Sequence, residues 1–418
     1  MPARYRTADQ AWVRERNLSI VLNYLWEAGG PIARARLTEI SGLNKSTIGS
    51  LLTQLQAWGF VRELGTQNVG PGRPGMLIDI DPEAGRIIGT EIGVDFVSAV
   101  LVNLKAEVVW QRKVDTNGAS RPGQSQMLAQ TEQLVREAMG QAGAAGCRVL
   151  GIGLGVPGLV DHATGTLLFA PNLGWRDVPL REMWHAAFGV PVIVENEANA
   201  AALGEKMLGT ARQLEHFIYL SAGVGLGGGL VIDGKLYGGA GGFAGEIGHM
   251  TLVPDGPQCN CGNRGCWETL IGPTAITERV RQAAALGQTP VLLALPDVDG
   301  DVSAIRMRHV LAAAARGEPA VLHVLDEVGR YLGIGIANLV NAFNPRLVVL
   351  GGILSLAGPY ILPRAQQEVQ ARALAAARET LRIELSAFGF DACVMGGASL
   401  LIREVLSNPS AWHRSAQA

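Results

Sequence analysis

Apolar residues recur at helical spacing between positions 11 and 26, where Val13, Ile20, Val21, Leu25 and Trp26 set the period, and Gly29-Gly30 ends the run. This predicts a first helix. Pro31 suits the start of a second, with Leu37 and Ile40 turned inward, and Ser41-Gly42-Leu43 reads as a three-residue turn. Asn44 is a good N-cap for a third helix, in which Ile48, Leu51, Leu52 and Leu55 form one apolar stripe. Its other face carries Lys45, Ser46, Thr47, Ser50 and Gln54, side chains short or amide-bearing enough to approach base edges and phosphates in a major groove. Residues 60–64 and 76–80 read as two strands around the tip Gly70-Pro71-Gly72-Arg73-Pro74-Gly75, which can extend Arg73 toward a minor groove. The order predicts a winged helix-turn-helix over residues 1–82; a small helical packing or dimerisation module is the plainer alternative.

From about residue 84 the pattern changes to alternating strands and helices, so residues 83–418 are expected to form an α/β body. Strands are predicted at 86–93, 96–104, 106–114 and 149–156, with a helix over 124–142. A strand at 190–194 runs into Glu195-Asn196-Glu197-Ala198-Asn199, a polar strand end passing straight into a helix, and ligands bind at such ends of parallel sheets. The second half repeats the theme: strands at 217–221, 225–232, 347–350 and 381–385, and helices at 273–286, 303–315, 320–343, 361–376 and 398–406. The most apolar late stretch, 324–343, contains Asp326, Glu327 and Arg330 and therefore reads as a buried helix, not a membrane span.

The chain's 418 residues, 48% hydrophobic and 17% charged, suffice for two or three domains with their own cores. Its 54 glycines sit inside apolar runs and imply tight turns and close backbone approaches. Charge is divided unevenly. Residues 1–73 hold nine basic and five acidic side chains, a surplus of four, which leaves −6 on the remainder of a chain whose net charge is −2. A basic head on an acidic body points to a polyanionic partner for the head.

Three of the five cysteines cluster with a histidine. His249, Cys259, Cys261 and Cys266 supply one imidazole and three thiolates within eighteen residues, the donor set of a closed tetrahedral structural zinc site. Gly262 and Gly265 suit a knuckle turn, although the Cys-x-Cys step is tight and three chance thiols are the alternative. Metal binding rather than disulfide pairing, and an N-terminus without an apolar signal core, place the chain in a reducing cytoplasm. Glu246 and Glu268 bracket the ligands, so a metal cross-link would fix two carboxylates in space. Cys147 and Cys393, with no ligands nearby, are expected to be buried apolar groups, Asp95 and Asp233 to lie in turns, and Glu195 to be solvated or structural.

The runs Gly-Glu-Ile-Gly-His-Met at 245–250 and Cys-Asn-Cys-Gly-Asn-Arg-Gly-Cys-Trp-Glu at 259–268 resemble the signature of the ROK family, which has a sugar-kinase branch and a repressor branch. The resemblance implies a two-lobed actin-like ATPase fold for the body, and the N-terminal segment resembles the head of the repressors. It also implies a monosaccharide pocket built from Asn196, Glu197, Glu246, His249 and Glu268, with Asn172 and Gly158 at the rim. His249 would ligate zinc through one nitrogen and meet a sugar hydroxyl with the other. Two plainer roles stay open: Glu246 as a partner that only orients His249, and Asn196 as a helix cap alone.

Family kinases hold phosphates with Gly-x-Asp-x-Gly-Gly-Thr and Gly-Thr-Gly-Ile-Gly, whereas this chain reads Gly89-Thr90-Glu91-Ile92-Gly93-Val94-Asp95 and Gly223-Val224-Gly225-Leu226-Gly227. Val94 resists the positive φ of a phosphate cradle, and Val224 lacks the donor hydroxyl. Glu197 stands where the kinases carry a catalytic aspartate, and its extra methylene moves the carboxylate by about 1 Å. The resulting expectation is a repressor without kinase activity. It would bind operator DNA as a homodimer or tetramer and respond to a xylose- or glucose-like monosaccharide. The alternatives are an ATP-dependent sugar kinase with an appended head, or a body that recruits another protein.

Overall fold

The computed structural model describes residues 9–67, 75–116 and 123–414. In the head, Asp9 caps the helix Gln10–Ala28 by accepting from the Trp12 N–H at 2.7 Å, and Gly29 ends it in the left-handed conformation. Ile32 and Ala33 first pair with Ile78 and Leu77, so the second helix begins later than Pro31 indicates, at Arg34–Ser41. Asn44 accepts from Thr47 N–H at 2.8 Å and starts the helix Lys45–Ala57. Strands Val61–Gln67 and Gly75–Ile80 then run antiparallel. Leu18, Val21, Leu22, Leu25, Leu37, Ile48, Leu51, Leu55 and Phe60 are buried between these elements. This is the order of helices and strands expected of the head; Arg73 at its tip lies outside the described residues.

The body has two five-stranded sheets of the same design. In the first, Arg86–Ile92, Phe96–Asn103 and Val108–Asp115 form an antiparallel meander, and Val149–Val156 and Val192–Asn196 add to Arg86–Ile92 in parallel. In the second, Phe217–Ala222, Leu226–Ile232 and Lys235–Leu236 form the meander, extended by Leu347–Gly352 and Arg382–Leu385. Two such lobes make the actin-like fold. A three-stranded antiparallel sheet, Leu159–Asp161, Thr166–Ala170 and Trp175–Val178, was not legible in the apolar pattern, and Asn172 lies in its second turn.

Two boundaries differ from expectation. The helix predicted from 361 is Ile353–Arg372, with Pro359 and Pro363 inside it. The prolines stand four residues apart at exposed positions, while Leu354, Ala357 and Ile361 are buried. The last helix predicted from 398 begins at Ala392 and runs to Ser407. Its Gly396 and Gly397 permit backbone contact: a Cβ on Gly396 would lie 1.8 Å from the Ala200 carbonyl oxygen, and the Gly397 carbonyl oxygen comes within 2.0 Å of where a Gly153 Cβ would be. Among the described residues no helix is long and apolar enough to cross a membrane.

The helix Ala392–Ser407 also joins head to body. Its Ala398, Leu401, Ile402, Val405 and Leu406 share one apolar cluster with the head's Leu18, Leu22, Leu25 and Ile80. Polar contacts reinforce the seam. Asn23 donates to the Leu406 carbonyl at 3.4 Å, Glu15 accepts from the Ser410 N–H at 3.1 Å, and Trp58 stacks on His413 at 4.8 Å.

Candidate functional site

Five elements deliver side chains to the cleft. Asn196 ends the strand Val192–Asn196 and caps the helix Glu197–Met207, its Oδ1 accepting from the N–H groups of Ala198 and Asn199. Its amide also donates to the Gly158 carbonyl at 3.1 Å and to Glu197 Oε2 at 2.9 Å. Asn196 is thus a cap and, at once, the group that orients Glu197. Glu197 is enclosed by the cleft: loss of water, with Glu246, Glu91 and Glu195 adding negative charge, pushes its carboxyl up to about 8.

The glycine-rich strand of the second lobe crosses these groups. A Cβ on Gly227 would lie 3.5 Å from Glu197 Oε1, and one on Gly225 would lie 2.7 Å from Glu268 Oε2 and 3.3 Å from the Asn172 amide nitrogen. Gly225 must be small to clear Glu268, and Gly227 to clear the Ala198 methyl, whose Cβ lies 2.9 Å from where a Gly227 Cβ would be. Asn172 accepts from the Asn260 amide at 3.4 Å, linking the rim of the first lobe to the cysteine segment of the second.

That segment turns as a knuckle. Cys259 N–H donates to the Asn263 carbonyl and Gly262 N–H to the Cys259 carbonyl, while Gly265, at φ +65, leaves space for the Val253 carbonyl where a Cβ would intrude. The ligand atoms of His249, Cys259, Cys261 and Cys266 all lie within 4.8 Å of one another. One nitrogen and three sulfurs at this spacing suit a soft tetrahedral cation. Burial pushes the Cys259 and Cys266 thiols up, a cost of forming thiolates that a bound cation would offset.

The two nitrogens of His249 face different ways. Nδ1 lies 3.7 Å from Cys259 Sγ, and Nε2 points toward Glu246 Oε2 at 3.8 Å. Glu268 spans the same boundary, with Oε1 accepting from Cys259 Sγ at 2.8 Å and Oε2 from the Leu226 N–H at 3.4 Å. Asn196, Glu197, Glu246, His249, Glu268 and Asn172 are therefore gathered in one region. The remaining candidates stand apart on the head: Lys45, Ser46 and Ser50 are exposed and Thr47 and Gln54 half-buried along the outward face of Lys45–Ala57.

Sequence reasoning missed several groups. Glu91 occupies the aspartate position of the first altered turn; it is buried beside Cys393, its Oε2 has no hydrogen-bond partner, and burial pushes it up to about 8. The altered pattern held that signal. Glu195 is buried rather than solvated, accepting from Asn196 N–H and the Asn199 amide and lying 3.3 Å from His162 Nδ1. Cys147 is half-buried and donates to Glu83, whereas Cys393 is buried as expected. The Phe96 ring fills the space a side chain on Gly93 would take.

A putative xylose repressor of Caldicellulosiruptor sp. (strain Rt8B.4) is 35% identical over 403 residues, covering 96% of this chain and 99% of that one. The crystal structure of a ROK family transcriptional regulator, a homolog of the E. coli MLC protein, superposes with a TM-score of 0.80 at 28% identity, covering 97% of this chain and all of the other. A ROK family glucokinase from Streptomyces griseus, solved with glucose and AMPPNP, gives a TM-score of 0.69 at 33% identity over 76% of this chain and 99% of its own. Residues 87–404, which take in both lobes and the cysteine knuckle, match the ROK family, and the chain belongs to it.

Proposed function

We propose that this chain is a sugar-responsive transcriptional repressor: residues 1–82 clamp operator DNA, and residues 83–418 bind a xylose- or glucose-like monosaccharide and form the homodimer or tetramer that sets two heads on one operator. The observation that carries the reading is the helix Ala392–Ser407. It packs against the helix Glu197–Met207 and shares an apolar cluster with the head, so one element links the body's site to the head. Likeness to repressor relatives extends over the head, whereas three-quarters of this chain accounts for a whole kinase.

In this reading Asn196, Glu197, Glu246, His249, Glu268 and Asn172 hold the sugar. Glu197, protonated at neutral pH, both donates to and accepts from a hydroxyl. His249, Cys259, Cys261 and Cys266 would hold a zinc ion, which supplies no chemistry beyond cross-linking the knuckle and fixing His249 and Glu268. Lys45, Ser46, Thr47, Ser50, Gln54 and Arg73 meet DNA. The protein works in the cytoplasm. Val94 and Val224 leave the nucleotide phosphates without a cradle, and the extra methylene of Glu197 displaces its carboxylate from where the kinases hold their aspartate.

The glucokinase likeness keeps a kinase with an appended head as the second reading. Calorimetric titration with pentoses and hexoses, run beside a coupled ADP-release assay, separates the two. The repressor reading expects one sugar to bind and ADP release to stay at background. Turnover above ~1 per second would overturn it in favour of the kinase, and silence to every sugar would leave the body as a protein-recruiting module.

A further inference from the structure

The outward face of the helix Lys45–Ala57 is a ridge of small residues, Ser46, Gly49, Ser50 and Thr53, and two guanidinium groups from other helices flank it. On one side Arg14, from the first helix, donates from Nε to Gln54 Oε1 at 2.7 Å and from Nη2 to Ser50 Oγ at 3.1 Å. On the other side Arg34, the first residue of the second helix, lies across Gly49, with Nη2 2.2 Å from where a Cβ would stand. Both arginines are exposed, and among the described residues neither has a carboxylate within 4 Å of its guanidinium. Arg36, two residues on, is by contrast engaged by Glu39 at 2.7 Å.

This arrangement matches a groove in width and sign. A helix with its side chains is about 10–12 Å across, and the major groove is about 12 Å wide with a phosphate strand on each wall. A ridge of hydroxyls and a glycine can descend to the floor, while a cation on each flank meets the phosphates of opposite strands. Resting on the reading of the head as a DNA-binding domain, we propose that Arg14 and Arg34 are a two-sided phosphate clamp that centres the helix Lys45–Ala57 in the major groove of a DNA duplex. The hydrogen bonds of Arg14 to Gln54 and Ser50 hold its guanidinium beside the ridge before DNA arrives, which lowers the cost of ordering it on binding, and Arg34 lies against Gly49 on the other flank. A phosphate clamp adds affinity on every sequence and leaves the reading of bases to the ridge.

The test is the salt dependence of duplex binding by the full-length protein, measured by fluorescence anisotropy. Two probes are used: the tightest duplex recovered from a random pool, and a duplex of scrambled sequence. Arg14→Ala and Arg34→Ala are each expected to reduce the slope of log K against log salt by about 0.9, on both probes alike. Arg14→Lys and Arg34→Lys should restore it, because the slope follows the charge and lysine keeps it. Arg16→Ala removes the same charge from the first helix without contact to the ridge, and should leave the slope unchanged. An unaltered slope in both alanine variants, or a loss confined to the selected duplex, overturns the clamp. A wild-type protein that binds neither duplex overturns the DNA-binding reading itself.

Discussion

Glu91 and Glu197 both keep their protons to about pH 8, and burial in the cleft is the leading cause for each. Unfolded, both would ionise in the ordinary range near 4.5, so between that value and about 8 the folded chain holds protons the unfolded chain has released. The stabilisation is complete below the lower value and is lost as pH rises through the upper one. Thermal melts are therefore expected to shift to lower temperature from about pH 5 to about pH 8, and Glu91→Gln, which keeps the neutral shape, should flatten that dependence. At the knuckle, Gly265→Ala would place a Cβ 1.5 Å from the Val253 carbonyl oxygen at a φ of +65. Urea denaturation should record a loss of roughly 1–3 kcal/mol. Elemental analysis should find about one zinc per wild-type chain and almost none in Cys266→Ser, because four ligands close the site and three do not.

Among the elements, the helix Ala392–Ser407 shows how close packing and coupling meet. Gly396→Leu would drive a side chain into the Ala200 carbonyl, forcing the helix away from Glu197–Met207. Equilibrium unfolding should register a cost of about 1–3 kcal/mol, and the variant should retain duplex binding while losing much of its response to sugar. The elements themselves were largely legible, because the stripe Ile48, Leu51, Leu52, Leu55 and the apolar strands of both meanders follow the periods of helix and sheet. The failures have physical reasons. The helix predicted from 361 starts eight residues earlier, at Ile353, and carries Pro359 and Pro363 at exposed positions inside it. The sheet that carries Asn172 is built from strands of three to five residues, too short to show a period.

For the whole molecule, the knuckle and the Glu-Asn-Glu strand end announced themselves in sequence because their chemistry is concentrated in short runs. The partners that complete the cleft did not: Glu91, Cys393 and His162 come from distant parts of the chain and meet only through the fold. The seam between head and body was equally hidden, since Glu15, Asn23 and Trp58 reach the C-terminal helices across more than 350 residues of sequence. In the proposed reading that seam is the route by which a sugar in the cleft acts on the head, and it can do so only through unequal affinity for two arrangements of the lobes. The most direct measurement is anisotropy titration of a selected duplex with the full-length protein, alone and with each sugar that calorimetry finds to bind. At least one such sugar is expected to change the duplex Kd by roughly 5- to 150-fold. Sugars that bind the cleft and leave duplex affinity unchanged would contradict the account.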